Sequence, residues 1–498
     1  MRPEEPLRLL AAALLSLTSL AGCNFAPPLR VPVVPTAAHY TAAPAPRDLA
    51  STATPGVPPQ HIIPAASLER PWWHSFHSPQ LDALIHRALI HSPTVAAAEA
   101  QLRAARANVA LSAAVLYPQV GLNLGASRTR TSGANFGGRV PGSTFSLYTG
   151  QVAVSYYPDF FGVNRLLYRG STAQLNAQRA ALQAARLTLA GNVLDAAVGI
   201  AATSAEISAT LRLIAAQRQL LELVQARYRG GATTYGAVVA QRAQIEASEA
   251  ELPPLQQQRS AYRHLLAGLL GTAPSRLRDR SFTLQTFALP QRVPLALPSS
   301  LLRNRPDIRI AEEQMRYALA GVGIAKAQFY PLVTLSASAG ASALAAGKLL
   351  DAASTVWNFG GALAKPIFEG GKLRAQERSA YATCAAARAA YRSTVLAAFQ
   401  QVADALRALQ HDAAAAQAQA RLLDTLREQL QLAEAGWRAG ATDFSAVLIA
   451  EADYRTALPD RARITAARLQ DTAALFVALG GDPRRPRTEA AQAAAAVP

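Results

Sequence analysis

His74 and His77 lie three residues apart in Pro71-Trp-Trp-His-Ser-Phe-His77, a spacing open to metal ligation. No cysteine and no further histidine accompanies them, and zinc sites draw on more than two such ligands, so no metal site is expected. Gly340…Gly347-Lys348-Leu349 lacks both the spacing and the Ser/Thr of a phosphate-binding loop. Gly321-Val-Gly323 lacks the third glycine of a dinucleotide fingerprint. Neither a paired-histidine helix motif nor a Gly-x-Ser-x-Gly elbow is present. The expectation is a protein with no catalytic residue and no cofactor, not an enzyme.

Of the two cysteines, Cys384 sits in a helical stretch as a small packing side chain. Cys23 is different. Arg2 and Arg8 precede a 12-residue apolar run, Leu9 to Leu20, which has the length and flank of a signal-peptide core. The run ends in Leu20-Ala21-Gly22-Cys23, similar to the bacterial lipobox, so residues 1–22 read as a lipoprotein signal peptide and Cys23 as the lipidated first mature residue. Several acyl chains on one residue hold a bilayer far better than one. Asn24 follows in place of the Asp that signals inner-membrane retention, which favours the outer membrane. Ten prolines between Asn24 and Pro64 make 23–66 an extended leash, since such a run is neither helix nor central strand.

The elements that would follow such an anchor are unusual for a globular chain. Ala and Leu dominate the 498 residues, with 16% charged and 6% aromatic, a balance that favours long, closely packed helices. The net charge of +17 comes mostly from Arg spread along the chain, with only four lysines, and not from a patch with interleaved aromatics, which excludes a nucleic-acid binder. Past the leader, no run approaches the roughly 18 apolar residues of a spanning helix.

An internal repeat organises the rest. Pro93 to Ala126 matches Pro306 to Ala339 at an offset of 213; further on Asp195 matches Asp404, Tyr228 matches Trp437 and Gly271 matches Gly480 at an offset of 209. The expected domains are therefore an equatorial segment 67–92, repeat 1 at 93–271, a linker 272–305, repeat 2 at 306–480 and a disordered tail 481–498. Each repeat opens on a heptad helix: Val95, Leu102, Val109 and Leu116 with Ala98, Ala105 and Ser112 between them, then Ile308, Met315, Val322 and Phe329 with Ala311, Ala318 and Ala325. Large and small residues alternating at the seam let coiled helices approach closely.

At Tyr117-Pro118 and Tyr330-Pro331 the period switches from seven to two. Val120, Leu122, Leu124 and Ala126 alternate with small or polar residues, as do Val333, Leu335, Ala337 and Ala339, which is the pattern of a transmembrane barrel strand. Strands are expected at about 119–128, 145–157, 332–341 and 354–364, with Trp357 and Phe359 in an aromatic girdle. Phe145–Tyr157 changes phase near Gly150, which leaves its register open. Four strands cannot close a barrel, and an open edge in lipid costs several kcal/mol per unpaired group. Oligomerisation follows if these strands lie in a membrane; three chains would supply twelve strands. Arg128, Arg130 and Arg139 on the first hairpin would face the exterior, as candidates to meet anionic lipopolysaccharide.

No proline interrupts Gly162 to Arg229 or Gly371 to Arg438, each 68 residues, or about 100 Å as continuous helix. Each then turns, at Arg229-Gly230-Gly231-Ala-Thr233-Thr-Tyr235 and at Arg438-Ala-Gly440-Ala-Thr-Asp443-Phe444. Gly suits the left-handed helix end and Thr or Ser the next cap. The return helices are expected to break or kink at Pro253-Pro254 and Pro459.

The run Leu297-Pro-Ser-Ser-Leu-Leu-Arg-Asn-Arg-Pro-Asp-Ile-Arg-Ile-Ala-Glu312, with Ala-Gln-Phe-Tyr-Pro331, resembles the central motif of the outer membrane factor family. These are the TolC-like outer-membrane efflux proteins. Trp72-Trp73…Phe76…Pro79-Gln-Leu-Asp-Ala-Leu-Ile85 and Lys365-Pro-Ile-Phe-Glu-Gly-Gly-Lys372 resemble two further family motifs. With the lipobox, the likeness is to the NodT-type lipoprotein branch that serves resistance-nodulation-division (RND) pumps, and it covers nearly the whole chain. It implies a mixed α/β membrane protein: a homotrimer with a twelve-stranded transmembrane β-barrel continuous with a periplasmic α-helical barrel. It also implies two partners, a periplasmic adaptor and an inner-membrane RND transporter, and an exit duct that carries drugs or other small toxic compounds passively across the outer membrane. In the family the two tips meet the adaptor and close the periplasmic end. Here they carry Arg229, Gly230, Gly231, Thr233 and Tyr235, and Arg438, Gly440, Asp443, Phe444, Val447, Leu448 and Glu451. Relatives often place an Asp after the aliphatic pair of the second tip; this chain has Ile449, with Asp443 and Glu451 the nearest acids before and after it. Other readings are a duct for type I secretion, or a coiled-coil envelope lipoprotein that forms no pore; the second leaves the alternating strands unexplained.

Overall fold

The computed structural model describes residues 25–32, 40–41, 47–49, 58–64, 71–132, 142–277, 282–296, 301–302 and 304–481. The leader, Cys23, Arg139, the motif residues 297–300 and 303, and the tail 482–498 lie outside them. The described elements run β1 (His61–Pro64), α1 (Pro79–His91), α2 (Pro93–Ala114), β2 (Gln119–Arg130), β3 (Thr144–Tyr156), α3 (Val163–Arg229), α4 (Tyr235–Ala250), α5 (Leu252–Leu269), β4 (Arg292–Leu295), α6 (Pro306–Ala327), β5 (Leu332–Ala343), β6 (Thr355–Ala364), α7 (Lys372–Arg438), α8 (Phe444–Thr456) and α9 (Leu458–Ala478). The order from α2 to α5 recurs from α6 to α9. The chain divides into two compact units.

The first unit holds residues 1–32, 101–178 and 311–391. Its centre is a four-stranded antiparallel sheet in the order β2-β3-β5-β6. The phase change near Gly150 resolves into one register, Leu124 opposite Gly150 and Ala126 opposite Tyr148. Phe145 and Leu147 thereby fall on the face opposite to Tyr148 and Val152. Beneath the sheet Ala318, Leu319, Val322 and Cys384 form a core, with Leu29, Ala380 and Ala387 packed on it. Asp159 starts α3 by accepting from the backbone N–H groups of Asn164 and Arg165, at 3.0 and 2.8 Å. A carboxylate there satisfies helix-end donors and complements the helix dipole.

The heptad positions are buried unequally. Ile308, Met315 and Val322 are fully covered, as are Val95 and Leu102, but Val109 and Leu116 are half-exposed. Leu111, Val115 and Tyr117, at the same end of that helix, are exposed.

The second unit holds 33–100, 179–310 and 392–498. Part of the proline-rich segment read as a leash is fastened there. β1 pairs in parallel with β4, and the buried Gln60 donates to Pro290 O and Thr472 Oγ1 while accepting from Arg468. Pro64 closes β1 at the edge of a two-stranded sheet, where a missing donor costs little. Trp72, Phe76 and Phe476 meet edge to face at 5.9–6.2 Å, so the Trp-Trp motif is a packing cluster. Pro253 and Pro459 sit in the first turns of α5 and α9, just after the breaks at Glu251 and Ala457, where a missing N–H is tolerated. One window of α3 has the length and mean hydropathy, 1.3, of a membrane span, contrary to the sequence reading; it is 72% buried, and packed neighbours account for its apolarity.

Candidate functional site: the two-faced sheet and the helix tips

Cross-strand partners share a face, so the sheet register sorts every strand residue onto one of two sides. One side carries Val120, Leu122, Leu124, Val152, Val154, Leu335, Trp357, Phe359 and Leu363. The other carries Gln119, Gly121, Asn123, Gln151, Ser155, Ser336, Ser338, Asn358 and Gly360. Val120, Leu122 and Leu124 are about 70% exposed, as are Trp357 and Phe359, so the apolar side covers no core of this chain. An apolar face without a core suits hydrocarbon as its solvent, and the polar face suits water. Gly340 lies on the polar side; a Cβ there would run into the Gly150 carbonyl.

The two tips belong to the second unit and are built alike. α3 ends with Gly231 at φ 72 and α7 with Gly440 at φ 71, both left-handed. The N–H groups of Ala232 and Ala441 reach back to Arg227 O and Gly436 O at 2.8 Å, closing the exposed helix ends. Rings meet across each turn, Tyr228 with Tyr235 at 5.6 Å and Trp437 with Phe444 at 5.1 Å. Thr234 and Asp443 hold the next N-cap positions, and neither side chain makes the capping bond that the sequence predicts; Thr233 stands one residue earlier. Asp443 turns instead to the other tip, where Arg227 Nη1 lies 3.2 Å from its Oδ2. Arg227 also donates to Ser445 Oγ at 3.3 Å. Sequence reasoning missed Arg227, because nothing local marks a partner 216 positions away.

Among the other tip residues, Val447 and Leu448 are buried while Ile449 is half exposed. Glu451 Oε1 accepts from Arg455 Nε at 3.0 Å, one turn along the same helix. Arg438 pairs with Glu434 at 2.9 Å. The acids that flank Ile449 on either side, Asp443 and Glu451, are therefore engaged by guanidinium groups, while Asp453 one turn further along is exposed. Arg229, Gly230 and Tyr235 are exposed.

Away from the tips, acids gather between α3, α7 and α9. Burial pushes the Asp195 carboxyl up to about 6, with the neighbouring Asp471 charge adding to it. Burial also pushes Asp412 up to about 7, and a hydrogen bond with Asp471 raises it further. Arg468 is lowered by burial, against the attraction of Asp412. Arg305 is buried nearby, donating to Asp307 through two nitrogens, to Gln401 and to Ala478 O. Among the described residues no group of acids, histidines and cysteines has the arrangement to hold a metal ion.

A two-faced sheet with edges unpaired among the described residues, joined to helices of 67 residues, is an arrangement suited to a membrane channel. The family model described as outer membrane efflux protein matches residues 84–272 and 297–481, one match to each series of elements. The chain is 33% identical over 460 residues to the pyoverdine export outer membrane protein OpmQ of Pseudomonas putida, covering 89% of this chain and 97% of that one. It is 28% identical to nodulation protein T of Rhizobium leguminosarum bv. trifolii, over 82% and 87% of the two chains. Among solved structures, VceC of Vibrio cholerae superimposes with a TM-score of 0.76 at 28% identity, over 84% of this chain and all of that one. The outer-membrane channel OprN gives 0.80 at 26% identity, over 92% and 99%. The chain belongs to the outer membrane efflux protein family. Its fold and family are those of outer-membrane channels, not of enzymes, and its function is efflux across the outer membrane.

Proposed function

We propose that three copies of this chain close a twelve-stranded transmembrane β-barrel whose lumen continues into a tunnel of long helices, and that the trimer is the passive exit duct of a tripartite RND-type pump. The observation that carries this is the sheet: four strands, one exposed face that is apolar along most of its length, one polar face, and two edges, β2 and β6, unpaired among the described residues. Unpaired backbone groups in hydrocarbon cost several kcal/mol each, so lipid requires the edges to meet those of other copies. Cys23 would carry the lipid anchor, with the segment after it fastened along the helices. The tips at 229–235 and 438–451 would dock a periplasmic adaptor and form the closed periplasmic end, the inner-membrane transporter supplying the energy. Efflux proteins of this sort are named for cargoes as different as pyoverdine and toluene, which fits a duct that conducts small toxic compounds and leaves selection upstream.

The test is purification of the mature protein in detergent, its mass by native mass spectrometry, and conductance in planar bilayers. A three-chain species that forms pores supports the reading. A monomer that stays in water without detergent and passes no ions overturns it.

A further inference from the structure

The two hairpins share one internal register. Gln119 faces Ser155 as Leu332 faces Ala364, so first strands correspond at a shift of 213 and second strands at 209. Between the hairpins, β3 meets β5 with Tyr148 opposite Ala343, Gly150 opposite Ala341 and Val154 opposite Ala337. If the unpaired edges repeat that inner seam between copies, the same shifts fix which residues meet. Trp357 comes opposite Arg130 of the next copy, Phe359 opposite Arg128, and Leu363 opposite Leu124.

We propose that Arg130 and Arg128 of one copy lie against Trp357 and Phe359 of the neighbouring copy, locking the β6–β2 seam of the oligomer in this register. This rests on the oligomeric barrel proposed above and goes beyond it by naming the seam. Three observations carry it. First, all four residues project from the apolar side of the sheet, so the carried-over register keeps both faces intact; a slip of one residue would turn Val120, Leu122 and Leu124 onto the polar side.

Second, all four are exposed, and none has an ion pair or ring contact among the described residues. Trp357 and Phe359 are 77% and 74% exposed, and neither arginine forms an ion pair among the described residues. A guanidinium over an indole or phenyl face is attracted by the ring quadrupole, more strongly where water is scarce, as at the rim of an apolar band.

Third, the other end of the strands shows the same half-finished contact. Within the chain, Phe161 after β3 stacks on Tyr330 before β5 at 4.9 Å. At the free edges Gly370 takes the place of Phe161 and Tyr117 that of Tyr330, and the apolar residues there are Ile367 and Phe368 of the turn after β6 and Tyr117 before β2. Those residues are 98%, 89% and 65% exposed. Apolar side chains left bare beside each free edge are surface that a neighbouring copy can cover.

Disulfide trapping in native membranes tests the register. In a Cys384→Ser background, Leu363→Cys is combined with Leu124→Cys, Leu122→Cys or Ala126→Cys, the last two reporting slips of two residues. The expected result is inter-chain cross-linking at least about tenfold faster for Leu124→Cys, since directly opposed Cβ atoms are closer than diagonal ones. Faster cross-linking of either other pair overturns the register and leaves the oligomer standing. No cross-linking in any pair, with a native mass of one chain, overturns the barrel reading as well.

The side-chain contact is tested by heat dissociation of the oligomer for Arg130→Gln, Trp357→Leu and the double variant. Each single change is expected to lower the dissociation temperature, and the double change to lower it no further than the larger single one. Additive effects overturn the contact and assign the arginines to lipid phosphates instead.

Discussion

Arg227 at the end of one long helix and Asp443 at the start of the second return helix join the two tips through a 3.2 Å ion pair. The same guanidinium reaches Ser445 on that helix. The two tips share no other side-chain ion pair among the described residues, and both partners are well exposed, at 40% and 72%. That exposure sets the size of the effect, because solvent and salt weaken such pairs to about 0.2–1 kcal/mol.

Loosening this link is expected to favour an open periplasmic end. Arg227→Ala or Asp443→Asn should raise the open fraction in planar bilayers, by about fivefold at most given the energy of an exposed pair. Raising the salt concentration should narrow the difference from the parent, since salt screens the same interaction. Unchanged open fractions in both variants would remove the pair from the gate.

Ile449 gives a second prediction. Its flanking acids Asp443 and Glu451 are held by arginines, and Asp453, exposed one turn further along the helix, is the nearest acid without an ion pair among the described residues. Ile449→Asp would place one acid per chain at the tip, and a ring of such acids attracts multivalent cations. The variant is expected to become sensitive to block by a trivalent cation at concentrations that leave the parent channel conducting. Equal sensitivity would place Ile449 away from the narrowest part of the path.

Acidity is expected to stabilise the helical unit. Asp195 and Asp412 hold protons up to about 6 and about 7 in the folded state, whereas unfolded aspartates release theirs near about 3.9. Between those limits the folded state binds more protons than the unfolded state, so stability falls as pH rises from about 4 to about 7. Asp412→Asn should raise the melting temperature at pH 8 and flatten its decline across this window. A parent melting temperature that rises through the window would reverse the sign and refute the assignment.

Arg305 gives a stability prediction. It is 6% exposed and ties the start of α6 to α7 through Gln401 and to the end of α9 through Ala478 O. Arg305→Ala should destabilise the unit by about 1.5–3 kcal/mol, the range for hydrogen bonds made by a charged group. Arg305→Lys should recover little, because an ammonium cannot reproduce the planar, multi-donor geometry. Denaturant unfolding of both variants, alongside the parent, provides the check.

Much of the architecture was legible in the residues because it depends on short-range periodicity. The switch from seven to two at Tyr117-Pro118 and Tyr330-Pro331 sits where α2 and α6 give way to β2 and β5. The absence of proline from 163–229 and 372–438 shows as two helices of 67 residues. Gly231 and Gly440 mark helix ends because only glycine enters the left-handed region at little cost. The family motifs were legible as strings, but not their roles: Trp72 and Phe76 pack against Phe476, and Arg305 binds groups 96 and 173 positions away.

What the sequence by itself determined is therefore the set of local patterns: heptad, alternating strand and glycine turn. Those depend on backbone geometry within a few residues and on which side of an element is apolar. Tertiary structure alone decided the strand register at Gly150, the fastening of Gln60, the raised carboxyls of Asp195 and Asp412 beside Asp471, and the Arg227–Asp443 link. Each depends on residues far apart in the chain, and a guanidinium or carboxylate acquires its role only from what folding brings within about 3 Å of it.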